Sequence, residues 1–288
     1  MNRPPLRVAA VSYLNAVPLV WGLVHGPHRH LFQVEFNQAA AQCADALRDG
    51  KADAGIIPSI EYQRIPNLKI VPGLSISSSG PVRSVLLISR VPVEQIRSVA
   101  LDTSSRTSVC LVEILLQRHY RIAPRFAAHA PDLQAMLREC DAALMIGDPA
   151  LASDFPGLRV YDLAEEWRTM TGLPFVFAFW AVRAEAATPD WIQPFQESAA
   201  YAFAHLDEIT CSEIARTGLP EWLVRAYLTM NIDFTLGEKN LTGLRCFYAL
   251  AHEMGLTNGN RPLEFVGDSS GHDFSRAVQP GKDSGFSR

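Results

Sequence analysis

Residues able to hold or activate a small polar ligand fall in a few short turns of this chain, each at the end of an apolar run. The densest is Asp102-Thr103-Ser104-Ser105-Arg106-Thr107-Ser108, which opens an apolar-periodic segment. Free amides and hydroxyls at a helix start form an anion site that the helix dipole favours. Ser and Thr also cap helices with no ligand present, but so dense a run exceeds what one cap needs, which makes Ser105, Thr107 and Ser108 candidate ligand contacts. Ser12-Tyr13-Leu14-Asn15 offers Tyr13 and Asn15, the latter where an N-cap should stand, and Pro58-Ser59 offers a hydroxyl. Ser77-Ser78-Ser79-Gly80 precedes Arg83-Ser84. Arg83 is either a bidentate carboxylate contact or a surface arginine, and Ser84 either a turn residue or a ligand contact. In Gly147-Asp148 the glycine lets backbone approach a ligand, while Asp148 either faces that ligand or caps the next short helix.

Several chemistries lack their signatures. The chain contains no GxSxG elbow, GxxxxGK[ST] loop or HExxH helix, and no cysteine beside a candidate base. Cysteines 43, 110, 140, 211 and 246 form no CxxC pair and read as reduced, buried thiols. His25, His28 and His30 crowd a turn of Gly, Pro and Arg without supporting carboxylates, which reads as a solvated loop. Glu165 and Glu166 read as a solvated helix face, and Glu113 as a local partner of Arg118 or Arg106. No metal or cofactor is suggested. A net charge of −4 gives no electrostatic reason to expect nucleic acid or an acidic membrane surface. The N-terminus has no secretory h-region, and no run of ~18 apolar residues occurs, so a cytoplasmic protein with no membrane span is expected.

The elements that must position these turns alternate strand and helix, the pattern of parallel sheets covered on both faces. Strands are expected at 8–11, 31–36, 52–59, a short one at 68–71, then 99–101, 124–128 and 142–146. Helices are expected at 15–24, 38–48, 106–119, 131–138 and 162–171. Two long extended runs, Pro81–Arg90 and Pro174–Arg183, bracket the second set and look like crossover strands between two lobes. The chain then becomes helical over 189–206, 208–217, 220–230 and 238–254. Lobe one is therefore 1–86 with 181–266, lobe two is 87–180, and the Gly/Ser/Asp-rich 267–288 reads as a disordered tail. The expected class is α/β, two lobes of mostly parallel sheet closing on a small anion at the strand ends.

Taken together, these landmarks resemble one family. They run from Val11-Ser12-Tyr13-Leu14-Asn15 and Pro18-Leu19 through Asp53-Ala54-Gly55-Ile56-Ile57-Pro58-Ser59 and Gly80-Pro81-Val82-Arg83-Ser84-Val85. The helix-opening 102–108 stretch, Ile146-Gly147-Asp148, the 161–167 segment and Thr171-Gly172-Leu173-Pro174-Phe175-Val176 continue them, in order, over about residues 6–256. The chain resembles the chorismate dehydratases, which open the futalosine route to menaquinone. That resemblance implies a type 2 periplasmic-binding-protein fold without a signal peptide. It also implies removal of water from chorismate, with no cofactor. Asn15 and Ser84 would be catalytic, and Tyr13, Ser59, Arg83, Ser105, Thr107, Ser108, Gly147 and Asp148 would bind substrate. The base would be the substrate's own enolpyruvyl carboxylate or Asp148. A sister family makes dihydroxynaphthoate with a catalytic histidine in lobe two, but His129 does not stand in that family's motif. A carboxylate-binding sensor on the same fold is the non-catalytic alternative.

Overall fold

The computed structural model describes residues 4–102 and 104–268. In chain order the strands and helices begin β1 (Leu6–Val11), α1 (Val17–His25), β2 (Phe32–Asn37), α2 (Ala40–Arg48), β3 (Ala54–Pro58), α3 (Glu61–Arg64), β4 (Leu68–Ser78) and β5 (Val85–Ser89). They continue with β6 (Ser98–Asp102), α4 (Arg106–Ile114), β7 (Arg125–His129), α5 (Leu133–Glu139), β8 (Ala142–Ile146), α6 (Gly147–Ala152), β9 (Arg159–Asp162), α7 (Leu163–Thr171) and β10 (Phe175–Arg183). The last are α8 (Ile192–Ala204), α9 (Leu206–Thr217), α10 (Glu221–Ala226), β11 (Asp233–Leu236) and α11 (Glu238–Glu253).

Two sheets form, ordered β11-β4-β10-β3-β1-β2 and β7-β6-β8-β5-β9. Every residue of β3, β6 and β8 is buried, as expected of strands covered by helices on both faces. β1 runs parallel to β2 and β3, and β6 runs parallel to β7 and β8. The two long apolar runs break this pattern, as does β11 beside β4: β5 lies antiparallel between β8 and β9, and β10 antiparallel between β3 and β4. Each belongs whole to one sheet, so neither straddles the lobes. The chain crosses over between Ser78 and Val85 and returns between Thr171 and Phe175, not at the 86/87 and 180/181 divisions expected from sequence. The six-stranded sheet with its helices is called lobe one below, and the five-stranded sheet lobe two.

Three other expectations are corrected. The strand expected at 68–71 runs eleven residues to Ser78, because its second half pairs with β10 and β11 although Pro72 and Gly73 interrupt its apolar pattern. β11 interrupts the helical C-terminal region, completing the sheet edge beside β4. The segment before α1 is a tight turn, with Ala16 N–H donating to Tyr13 C=O at 2.8 Å, so the helix starts at Val17 and Asn15 caps nothing. Pro18 stands in the first turn of α1 as expected.

Among the surface features, Cys43, Cys110 and Cys140 are buried, but Cys211 is exposed and Cys246 partly so. Glu166 is not a solvated residue; it accepts a hydrogen bond from the Tyr120 hydroxyl. Glu113 pairs with neither expected arginine: Arg118 meets Glu253, and Arg106 meets Asp45 and Glu61. His28 pairs with Glu197. No helix among the described residues is long and apolar enough to cross a membrane. Asp268, inside the expected tail, accepts from the Phe265 N–H at 3.3 Å; the remainder, 269–288, lies outside the described residues, as does Thr103.

Candidate functional site

β1 and β3 of lobe one and β6 and β8 of lobe two all end at the same gap between the sheets. The turns that follow them, with the 79–84 crossover, form a cleft with about 600 Å³ of empty space. Its apolar lining comes from both lobes: Val11, Ile56, Ile76, Val82, Val85, Ile146 and Phe177. The polar groups are fewer: Tyr13, Asn15, Ser104, Ser105 and Ser108. Such a pairing suits a ligand with an apolar ring and a few oxygens that fix its orientation. No carboxylate or imidazole is among the cleft's lining residues described here.

The helix-opening run caps α4 and also lines the cleft. Ser105 is the N-cap of α4, accepting from Ser108 N–H at 3.4 Å, and its Oγ lies 2.8 Å from Ser108 Oγ. Ser104 donates its N–H to Asp102 at 2.9 Å, turning its own side chain toward Tyr13 and the cleft. The three serines thus face the cleft at the positive end of a nine-residue helix that runs on into a π turn. Thr107 departs from this set. It is fully buried, and its Oγ1 accepts from the Ile60 N–H of lobe one at 3.2 Å. Ser59 is also buried, donates to Val176 C=O at 2.8 Å and lies 3.4 Å from Thr107. Both residues seal the lobes below the cleft and do not line it.

Arg83 and Ser84 are separated by their backbone. Arg83 has a left-handed φ of 64°, its N–H donates to Asp162 at 2.6 Å, and its side chain is exposed and outside the cleft lining. The turn held by Asp162 thus leaves the Arg83 side chain at the surface, where the sequence reading expected a cleft contact. Burial pushes the Asp162 carboxyl above the usual carboxylate range, against four backbone amides that hold it down. Ser84, one residue on, is buried, with its Oγ 2.6 Å from the Tyr227 hydroxyl. The Asn15 side chain lies close enough to the same hydroxyl to hold its pKa down against burial. Nothing in the sequence pointed to Tyr227, which lies 143 residues from Ser84 in an apolar helical segment.

Gly147 follows β8 with a φ of 70°, donates its N–H to Ser84 C=O at 2.8 Å, and lets the Tyr13 ring approach to 3.6 Å from where a Cβ would stand. Burial raises the Tyr13 phenol pKa, which keeps it a neutral donor. Asp148 does not cap α6. Its Oδ1 accepts from the Leu14 N–H at 3.0 Å and its Oδ2 from Arg216 at 2.9 Å, both in lobe one. It fastens the Tyr13–Asn15 turn to lobe two, with each oxygen accepting one bond from lobe one.

Comparisons with known proteins add the following. A family model described as menaquinone biosynthesis matches residues 6–253. The chain is 29% identical over 257 residues to a protein named chorismate dehydratase from Thermus thermophilus, covering 80% of this chain and 94% of that one. Among solved structures it is similar to a structural-genomics protein of Archaeoglobus fulgidus, with a TM-score of 0.74 at 17% identity, covering 89% of this chain and all of that one. It is also similar to the periplasmic aliphatic sulphonate-binding protein of Escherichia coli, with a TM-score of 0.63 at 17% identity, covering 98% and 99%. These structural likenesses show the periplasmic-binding-protein fold.

Proposed function

We infer the activity from one premise: this chain belongs to the menaquinone-biosynthesis family, whose model spans residues 6–253. The protein is a chorismate dehydratase, as its Thermus thermophilus relative is named. As a carbon–oxygen lyase it removes the ring hydroxyl of chorismate and the proton on the neighbouring carbon, giving the enolpyruvyl ether of meta-hydroxybenzoate and water. The same reading places the reaction in the cytoplasm.

The observation that carries the mechanism is the convergence of Asn15 and the serines of the α4 N-terminus on one cleft, with Ser84 buried between the lining residues Val82 and Val85. The proton lost is vinylogous to the ring carboxylate, so negative charge develops on that group as the C–H bond breaks. Donors fixed in advance against developing charge lower the barrier without reorganising. Ser104, Ser105 and Ser108 at the helix start are placed for a carboxylate, and the apolar lining suits the ring. Ser59, Thr107 and Asp148 support substrate binding by holding the lobes and the Asn15 turn around it. The proton passes to the substrate's enolpyruvyl carboxylate, a role supported by a lining without a side-chain base among the described residues and by the double engagement of Asp148. The C–O bond then breaks, the hydroxyl leaves as water with a proton, and the ring becomes aromatic. Asn15 and Ser84 hold the enolpyruvyl carboxylate and assist the departing hydroxyl, and positioning of this kind is worth several kcal/mol.

Purified protein incubated with chorismate alone is expected to yield a product lighter by one water, read by chromatography and mass spectrometry. Asn15→Ala and Ser84→Ala are each expected to lower kcat by about 100-fold or more, the scale of losing one preorganised donor. Chorismate bound but returned unchanged would make the protein a sensor instead.

A further inference from the structure

Tyr227 opens a π turn (Tyr227–Asn231) that follows α10, and π turns inside helices are frequent where a side chain must be aimed. The residue is 1% exposed, its hydroxyl lies 2.6 Å from Ser84 Oγ of the 79–84 crossover, and the Asn15 side chain, from the turn after β1, lies beside it. Three segments remote in sequence therefore bring their polar ends together around one buried oxygen. We propose that Tyr227 is a positioning residue of the dehydratase site, its hydroxyl fixing where Asn15 and Ser84 aim their hydrogens. This rests on the dehydratase reading above.

A phenol hydroxyl has one hydrogen to donate and can accept from others, and a serine hydroxyl likewise has one hydrogen. The positioning requires Asn15 to supply an amide N–H to the Tyr227 oxygen and Tyr227 to donate to Ser84 Oγ, 2.6 Å away, in a pair where either hydroxyl can be the donor. The Ser84 hydrogen is then left for the substrate, and the chain Asn15 to Tyr227 to Ser84 has one direction. Burial raises the Tyr227 pKa far above neutrality, so the phenol keeps the hydrogen that this direction requires. Without the hydroxyl, Ser84 can turn its hydrogen away and Asn15 loses its acceptor, while the packed ring stays. Tyr227 is not among the cleft's lining residues, whereas Asn15 is, and Ser84 stands between the lining residues Val82 and Val85, so Tyr227 acts through these two.

The test is Tyr227→Phe, which keeps the ring and removes the oxygen. Its kcat for chorismate is expected to fall about 10- to 100-fold, the scale of small misplacements in a site, with KM within about threefold and the melting temperature within about two degrees of wild type. If Tyr227 acts through Ser84, the double variant Tyr227→Phe with Ser84→Ala is no slower than Ser84→Ala alone. Undiminished kcat in Tyr227→Phe, or losses that multiply in the double variant, would overturn the proposal. So would a fall in activity matched by a fall in melting temperature, which would mark a packing residue. Wild-type protein that binds chorismate and returns it unchanged overturns the dehydratase reading and this one together. Wild-type turnover with an unimpaired Tyr227→Phe overturns this one alone.

Discussion

Asp148 stands beside the cleft with both carboxylate oxygens engaged across the lobes, by the Leu14 N–H and by Arg216. Asp148→Asn keeps an oxygen for Leu14 but loses the charge opposite Arg216. The expected result is KM for chorismate raised about three- to tenfold with kcat nearly unchanged, since a charge-assisted bond is worth about 1–3 kcal/mol before solvent screening reduces it. Loss of kcat with KM unchanged would make Asp148 the base. Gly147→Ala tests the neighbouring backbone. Its φ of 70° strains a side chain by about 1–2 kcal/mol, while the space at 3.6 Å from Tyr13 is ordinary contact. Turnover should fall about tenfold as the Tyr13 and Ser84 contacts shift, with only a few degrees lost in melting temperature. At this scale the sequence was readable to one residue and no further. Asn15, Gly147 and Asp148 were found as polar residues at strand ends, but Asp148's two bonds come from residues 134 and 68 positions away. Arg83 and Ser84 are neighbours of equal plausibility in sequence, and a single left-handed φ separates them.

At the scale of elements, α1 carries the first cleft turn and is seated on α8 through Gly22. A Cβ there would stand 2.3 Å from the Ser198 carbonyl oxygen, which is backbone and cannot swing aside. Gly22→Ala must therefore separate the helices. Overpacking costs about 1–3 kcal/mol or more, so the melting temperature should drop by several degrees, read by circular dichroism, and a wild-type value would mean the helices slide past each other freely. The buried parallel strands were visible in sequence as continuous apolar runs bounded by polar turns, and β8 has the limits expected of it. The far half of β4 and all of β11 were not, because Pro72 and Gly73 break the first and four residues carry no period for the second. Both are strands by virtue of partners distant in sequence.

At the scale of the molecule, the lobes are held together away from the cleft by Arg106, which reaches from α4 to Asp45 at 2.9 Å and to the buried Glu61 at 2.9 Å. The bond to Arg106 holds the Asp45 carboxyl below its ordinary value of 3.8. A depressed folded pKa contributes stability above the ordinary value and loses it as pH falls through the lowered one. Closure should therefore weaken on acidification below about pH 4, seen as a rising radius of gyration by X-ray scattering. Arg106→Gln should be more open at neutral pH and lose that acid dependence. The two-lobe division was legible because the apolar runs near 85 and 180 stand out; the crossing points were not, because both runs are complete strands of one sheet. Those crossings have a mechanical meaning. They lie side by side where Ser78 pairs with Phe175, so the lobes are joined by a narrow double strap. Ser84 is carried on one of its two bands, six residues past that pair. Opening to admit a substrate and aiming a hydroxyl at it are thus done by the same piece of chain. A sequence change that loosens the strap to speed product escape must also blur the aim, and the rate of such a molecule is a compromise written into its joint.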